Sequence, residues 1–554
     1  MNVRHTTLTN VPDEVRRPNC IVVRHSGKGG FVIFRPYRGN LLGMDISRYK
    51  DELNAVVPDV WQAYHDLRAT NGMGIYTSNG VMYNHTLFGR DASMAAKFVA
   101  DFDHEAVRET VRALAALQGV ENDPVTQEQR GRIHHEFRDL KTWKSTSWLN
   151  SRMMRYFYKK WGGQDQQIVT YFAMDTTALY IRLIYKFVIH IDRSFLQSHV
   201  VTQKDERITV AESLERAADW LSEQMTDGFV TQYETNDRAL PYQTFMDSTT
   251  AFPRPDKTLA NYRRGIAYAE VQALSYDALH EAAILLGDNE KRHDWKKLSH
   301  AMRDKFFEEF WSEDEQYFGS AVDKAGLVTT PNVAAGWLLN TSLWDEVSDE
   351  LRSAKVSAIV KRLFSDDFLT DYGLRSRALH AQQPLPRLIE YHGSRTVWPM
   401  FTFMTIEGLR RHRLYRLAEQ LENRLLNGIN LYGNFDEFFV VGAKGDAVLP
   451  IEHGPHAKSI DAQMLPEEQI GFTVIPALTL AWRVNQRDDS PKPPKQTAWQ
   501  LMLEEELLKE IDDVQLKDSS DCVDERGKLE RVKFRRTRGS LRSFLYTYRQ
   551  RRKM

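Results

Sequence analysis

A chain of 554 residues is longer than a single hydrophobic core usually supports, so two domains or one large closed architecture are expected. Its 74 Lys and Arg balance 75 Asp and Glu, leaving a formal net charge of −1. That balance excludes a general attraction for nucleic acid or an anionic membrane and makes a neutral ligand the expectation.

At the start, Cys20-Ile21-Val22-Val23-Arg24 and Phe31-Val32-Ile33-Phe34 are short β-rich runs around Ser26-Gly27-Lys28-Gly29-Gly30, which predicts a hairpin. The glycines lead into a strand pattern and have no helix N-terminus behind them, so they do not form a phosphate loop. Beyond about residue 50 the apolar positions fall three and four apart, the helical period. Helices are predicted over 92–102, 106–117, 177–191, 211–225, 266–286, 294–310, 347–363, 401–413, 415–431 and 468–482, within a set of about twelve. Between them run long loops rich in Gly, Pro, Asn and aromatic residues, at 76–91, 139–170, 231–261, 371–397 and 434–467. Long ordered loops in a compact domain are usually functional, and a helix-paired scaffold carrying them at one end would gather them round one pocket.

The run Asp488-Asp489-Ser490-Pro491-Lys492-Pro493-Pro494-Lys495 reads as a linker. An acidic helix is predicted over 499–513, and from Arg526 to Met554 there are twelve Lys or Arg and one acid, Glu530. The expected division is a β-rich segment at 1–50, a helical catalytic unit at 51–487, and a linker, acidic helix and basic tail at 488–554. The tail reads as a solvated or packing appendage whose partner, if any, the sequence does not name. Only two cysteines occur, Cys20 and Cys522, so a disulfide framework is not expected and a reducing compartment is the simpler setting. Met1 to Glu14 has no continuous apolar run. Residues 177–191, interrupted by Arg182 and Lys186, are too short to span a bilayer. The expectation is a soluble, cytoplasmic protein.

Two aromatic-flanked carboxylate motifs carry the chemistry: Tyr242-Gln243-Thr244-Phe245-Met246-Asp247-Ser248 and Phe435-Asp436-Glu437-Phe438-Phe439. A carboxylate among rings is partly desolvated and its pKa rises, so two acids in unequal settings can divide acid and base work. That division cleaves glycosidic bonds in most enzymes that do so. Surface acids beside ordinary core aromatics would give the same strings. His134 and His135 invite a zinc reading, but adjacent side chains diverge and no HExxH spacing follows, so no metal and no cofactor are expected.

Further strings follow one order along residues 83–482. They are Phe88-Gly89-Arg90-Asp91, Gly131-Arg132-Ile133-His134-His135-Glu136-Phe137-Arg138, Tyr171-Phe172-Ala173-Met174-Asp175-Thr176-Thr177 and Ala267-Tyr268-Ala269-Glu270-Val271-Gln272, then Tyr372-Gly373-Leu374-Arg375 and Tyr391-His392-Gly393-Ser394-Arg395-Thr396-Val397-Trp398-Pro399. With the two carboxylate motifs, this series resembles the six-hairpin, (α/α)6-barrel glycosidases. Within them it is similar to the amylo-alpha-1,6-glucosidase or glycogen-debranching-like group and its mannosylglycerate-hydrolase and processing-glucosidase relatives. The resemblance implies a mainly α toroid with a small N-terminal β-rich segment and a C-terminal basic extension. It also implies an inverting hydrolase acting on α-linked glucosyl or related oligosaccharides, with Asp247 as general acid and Glu437 as base. Asp436 could itself ionise; Glu437 holds the aligned position between Phe435 and Phe438.

Around the bound sugar, Arg90, Asp91, Glu136, Asp175, Glu270, Gln272 and His392 have the chemistry to hold hydroxyl groups, and Arg375 joins them through the resemblance. Phe88, Tyr391 and Trp398 suit the sugar's apolar face. For Arg90, Asp91, Glu136 and Asp175 a helix cap or local ion pair is the competing reading. Three departures from the family pattern widen the choice of substrate: Phe245-Met246 for Trp-Lys, Gly393-Ser394-Arg395 for Asn-Gly-Ser, and Asp436 for Pro. A noncatalytic carbohydrate-binding toroid and a phosphorolytic transferase are the alternatives. Retention of both Asp247 and Glu437 argues against the first, and an acid at Glu437 would repel the phosphate needed by the second.

Overall fold

Helices that must bury every face end up inside, and helices with one apolar stripe end up outside. Twelve helices of the chain form an inner and an outer ring, mostly sorted in this way; the outer helix Tyr415–Tyr432 is the exception, buried at every position from Gln420 to Tyr432. In chain order they are α1 Val60–Leu67, α2 Gly89–Val99, α3 His104–Ala116, α4 Thr176–His190, α5 Val210–Glu223, α6 Ala269–Leu286, α7 Glu290–Glu309, α8 Ala334–Leu338, α9 Asp349–Leu363, α10 Pro399–Arg411, α11 Tyr415–Tyr432 and α12 Gly471–Asn485. The computed structural model describes residues 21–24, 31–34, 46–80, 83–142, 148–234, 236–287, 290–381, 390–450, 466–486, 493–528 and 531–532.

The even-numbered helices form the inner ring. α4 is buried through nearly its whole length, from Thr176 and Leu179 to Phe187 and Val188, and α12 likewise from Gly471 to Ala481. Each inner helix packs on the next, α2 on α4, then α6, α8, α10 and α12, and α12 packs back on α2, so the ring closes. The odd-numbered helices lie outside it. α3 wedges between α2 and α4, α5 between α4 and α6, and α11 between α10 and α12; α1, α7 and α9 cover α12, α6 and α8. α5 is an amphipathic example, burying Val210, Leu214, Ala217, Ala218 and Leu221. It opens on a reciprocal capping box in which Thr209 Oγ1 accepts from Glu212 N at 3.1 Å and Glu212 Oε2 accepts from Thr209 N at 2.6 Å.

The strands are short and decorate the ring. Leu87–Phe88, Glu136–Asp139 and Gln167–Thr170 make one antiparallel sheet, and Ile266–Tyr268, Ala321–Asp323 and Gly326–Val328 another. Leu87–Phe88, Ile266–Tyr268 and Thr396–Val397 each run directly into an inner helix, so they deliver the N-termini of α2, α6 and α10 to one end of the toroid. Ile21–Arg24 pairs antiparallel with Phe31–Phe34 as the expected hairpin.

After the ring, Ala498–Glu510 packs on α9 and α11 and Ser519–Lys528 packs on α11. The chain between them is laced to α11 by Gln420 Nε2 to Asp513 Oδ1 at 2.6 Å and Asn427 Nδ2 to the Gln515 carbonyl at 2.8 Å. Most of the basic tail lies outside the described residues. Five helices were not expected: Lys50–Val56, α1, the five-residue α8, Ser519–Lys528, and Trp148–Lys160 inside the segment read as a loop. Among the described residues, no helix is long and apolar enough to cross a membrane.

Candidate active site

Four of the inner helices begin at the motifs that carry charge or aromatic surface, and α12 begins beside the loop before α2, where Ile470 bridges Ser78. Arg90 and Asp91 lie in the first turn of α2, Asp175 precedes α4, Glu270 is in the first turn of α6, Trp398 precedes α10 and Ile470 precedes α12. The partial positive charge of a helix N-terminus favours carboxylates there. Asp175 makes no side-chain cap bond; its Oδ2 accepts from Arg90 Nε at 2.7 Å, and both groups are buried. Burial outweighs the helix at the other two acids, pushing Asp91 and Glu270 each up to about 7.

Glu437 lies in the loop between α11 and α12. Its Oε1 accepts from the Tyr391 hydroxyl at 2.6 Å, and its backbone N–H donates to the Glu467 carbonyl at 2.8 Å. The turn before it is strained: Asn434 and Phe435 hold φ of 53° and 52°, a region that bulky side chains avoid at a cost on the order of 1–3 kcal/mol. Burial pushes the Glu437 carboxyl up to about 8, and the negative charges of Glu467 and Asp247 add to the rise, while the Tyr391 bond opposes it.

Asp247 lies partly buried in the loop after Phe245-Met246. Its charge acts on Glu437, Asp91, Arg90, Tyr83 and Tyr391, which places it near them although it is 190 positions from Glu437 in the chain. Asp436 faces elsewhere. Its charge acts on Tyr432, on the α11 side, and its carbonyl accepts from Thr473 Oγ1 at 2.6 Å.

An aromatic wall joins the two carboxylate loops. Tyr391 meets Trp398 edge-on at 4.8 Å, His392 stacks on Trp398 at 4.9 Å, and Trp398 meets Phe245 edge-on at 5.6 Å. His392 Nδ1 lies 3.0 Å from Ser248 Oγ, tying this wall to the residue after Asp247. Burial and the nearby Arg377 and Arg90 cations hold the His392 imidazole well below its usual range, so it is neutral. Phe88 meets His135 edge-on at 5.1 Å, and burial likewise keeps His134 and His135 neutral. Arg90 Nη2, Glu270 Oε2 and His392 Nε2 are buried without a hydrogen-bond partner among the described residues, as are the ring nitrogens of His134 and His135. Such orphans are costly unless a ligand's hydroxyl groups satisfy them.

Residues 79–440 match the family model for the mannosylglycerate hydrolase MGH1-like glycoside hydrolase domain. The chain belongs to that family. This MGH1-like protein is therefore a glycoside hydrolase built on the six-hairpin, (α/α)6 toroid. Among solved structures it is similar to the GH63 mannosylglycerate hydrolase from Thermus thermophilus in complex with glucose. The two are 15% identical with a TM-score of 0.50, over 76% of this chain and 98% of that one, a likeness of fold. A rhamnosidase from Klebsiella oxytoca with rhamnose bound is 13% identical, with a TM-score of 0.46 over 79% of this chain and 64% of that one. No curated protein matches the sequence.

Two residues of the expected binding set are committed elsewhere in this MGH1-like hydrolase. The Gln272 amide is used up on backbone: Oε1 accepts from Val230 N at 2.8 Å, and Nε2 donates to the carbonyls of Val230 at 2.9 Å and Tyr268 at 3.1 Å. Arg375 donates to the carbonyls of Ser394 at 2.8 Å and Ala443 at 3.1 Å, so it fastens loops. Glu136 pairs with Arg138, whose guanidinium lies 5.5 Å over the Tyr83 ring, placing it at the pocket's edge. Tyr83 and Glu467 were missed. Tyr83 stands edge-on to Phe88 at 5.4 Å and feels both Asp247 and Glu437. Glu467 Oε1 accepts from Tyr83 N and Ser78 Oγ, each at 3.3 Å, and joins the loop before α12 to the loop before α2. Tyr83 lies five residues before the Phe88-Gly89-Arg90-Asp91 string, close enough to have been read with it; Glu467 has no flanking motif.

Proposed function

We propose that this MGH1-like hydrolase cleaves α-linked glycosides of glucose or a related hexose with inversion, Asp247 acting as general acid and Glu437 as base. The observation that carries the reading is the convergence of an enclosed Glu437 with the charge of Asp247 in one aromatic-walled pocket. Asp247 donates its proton to the glycosidic oxygen as the bond to the anomeric carbon breaks. Glu437, on the other face of the sugar, takes a proton from the water that attacks that carbon. The positive charge that develops on the ring is stabilised by the carboxylates around it. Arg90, Asp91, Asp175, Glu270 and His392 hold hydroxyl groups, with Phe88, Tyr391 and Trp398 forming the apolar floor.

The name of the family adds short α-mannosides to the α-glucosides as substrates. A chain with only two cysteines fits the reducing cytoplasm as its place of work. The test is the configuration of the first product, followed by proton NMR before mutarotation. An α-linked substrate releases a β sugar under this reading; an α product would replace inversion with a two-step mechanism through a covalent intermediate.

A further inference from the structure

Behind the loop that carries Asp247 lies a groove of about 340 Å3, lined by Asn122, Gln129, Arg132, Gln224, Tyr233 and Gln243 among others. Neither Asp247 nor Glu437 lines it, nor does Tyr391 or Glu270. A smaller hollow adjoins it, sharing Gln127, Gln232 and Gln243. We propose that this groove is a second carbohydrate-binding site, separate from the catalytic pocket, that takes one neutral sugar unit or a disaccharide.

Its size and chemistry support that ligand. The volume lies at the low end of small-ligand sites, roughly 300–1,000 Å3. Arg132 is buried beneath it with neutral partners only: the Gln127 carbonyl at 3.1 Å, Gln129 Oε1 at 3.4 Å, the Ala173 carbonyl at 3.2 Å, Gln243 Oε1 at 3.0 Å, the Met174 sulfur at 3.5 Å and the Trp220 ring. Its Nε has no hydrogen-bond partner among the described residues. A buried guanidinium in that state gains from an added acceptor. Asp123 and Glu128 line the same groove, so the site as a whole is not cationic and does not favour an anion. A sugar hydroxyl is both donor and acceptor and suits an arginine, two carboxylates and side-chain amides together.

The groove also has a platform. Tyr233 is 45% exposed, and its ring lies against Gly265, where an added Cβ would stand 2.9 Å from Tyr233 Cε1. Gly265 has φ of 105°, so both its conformation and the ring's position call for glycine. An exposed ring of this kind covers the C–H face of a sugar while amides reach its edge. Gln243 connects the groove to catalysis: its Nε2 donates to Gln127 Oε1 at 2.8 Å and its backbone N–H to Gln232 Oε1 at 2.9 Å, four residues before Asp247.

Titration calorimetry of full-length Asp247→Asn protein with free glucose and with maltose tests the proposal; glucose has no bond to cleave, so the result stands whether or not Asp247 is the acid. Two binding components are expected. Tyr233→Ala combined with Gln224→Ala, both on the surface of the groove, weakens one component at least about tenfold and leaves the other unchanged. The wild-type kcat and KM on a small α-glycoside are expected to survive the same double substitution. A single component overturns the proposal, as does a second component that persists in the double variant. A single component accompanied by a raised KM would show that the groove is an outlying part of the catalytic pocket, which overturns it equally.

Discussion

The Tyr391 hydroxyl donates to Glu437 Oε1 at 2.6 Å, and this bond works against the burial and the two neighbouring carboxylates that drive the Glu437 pKa upward. A hydrogen bond to an ionised group contributes about 1.5–3 kcal/mol, or one to two pH units. Tyr391→Phe therefore raises the Glu437 pKa further. The acidic limb of the kcat/KM profile moves to higher pH by about one unit or more, while activity on the alkaline plateau falls much less.

The same assignment sets where that limb lies in the unmodified enzyme. A base acts only once ionised, and the Glu437 carboxyl is pushed up to about 8, so under the proposed assignment kcat/KM rises as pH increases through that region. A pH profile on a small α-glycoside reads this directly. Activity already level well below pH 7 would show that Glu437 is not the group whose ionisation starts the reaction.

Acid and base are separated by the leaving group. Asp247→Asn is expected to lose at least about a hundredfold of kcat on an O-glycoside but little on a glycosyl fluoride, which departs without protonation. Glu437→Gln should lose activity on both, and Asp436→Asn on neither. The measurement is initial rate on the paired substrates; the opposite pattern would exchange the roles of Asp247 and Glu437.

Much of this architecture is legible in the residues, and the exceptions have physical causes. Ten of the twelve ring helices carry long apolar periodicity, which an inner helix such as Thr176–His190 shows strongly because every face is covered. Ala334–Leu338 is too short to show a period, and Trp148–Lys160 sits among glycines and rings that read as loop. Several of the charged and aromatic motifs come to one end of the toroid because they occupy the starts of inner helices. Motifs do not reveal how a side chain is used, however. Glu270 and Gln272 stand two positions apart in one string, yet Glu270 Oε2 is an orphan while Gln272 is saturated by backbone.

Stability should respond to Glu437 in the opposite sense to an ordinary surface acid. Its folded pKa is raised from 4.5 to about 8, so between those values the unfolded chain has released the proton and the folded protein still holds it. Stability is then lost as pH rises through that window and stays low above it. Glu437→Gln removes the penalty, giving a gain on the order of a few kcal/mol at pH 8 and almost none at pH 4. Chemical denaturation at the two pH values measures it.

Gln272 and Glu270 make a matched pair for the last test. The Gln272 side chain holds Val230 to the start of α6 through two buried hydrogen bonds to its backbone and makes a third to the Tyr268 carbonyl. Gln272→Leu leaves those backbone groups without partners, each at about 1–3 kcal/mol, so the variant should lose several degrees or more of Tm while the surviving folded enzyme keeps its KM. Glu270→Gln preserves shape and can still accept from Thr244 Oγ1, and it removes a carboxyl that burial already disfavours in its charged form. It should keep or raise Tm and weaken substrate binding, seen as a raised KM or a lowered kcat/KM above pH 7, where the native carboxylate is ionised. A Gln272→Leu protein of normal Tm with a raised KM would return Gln272 to the binding set.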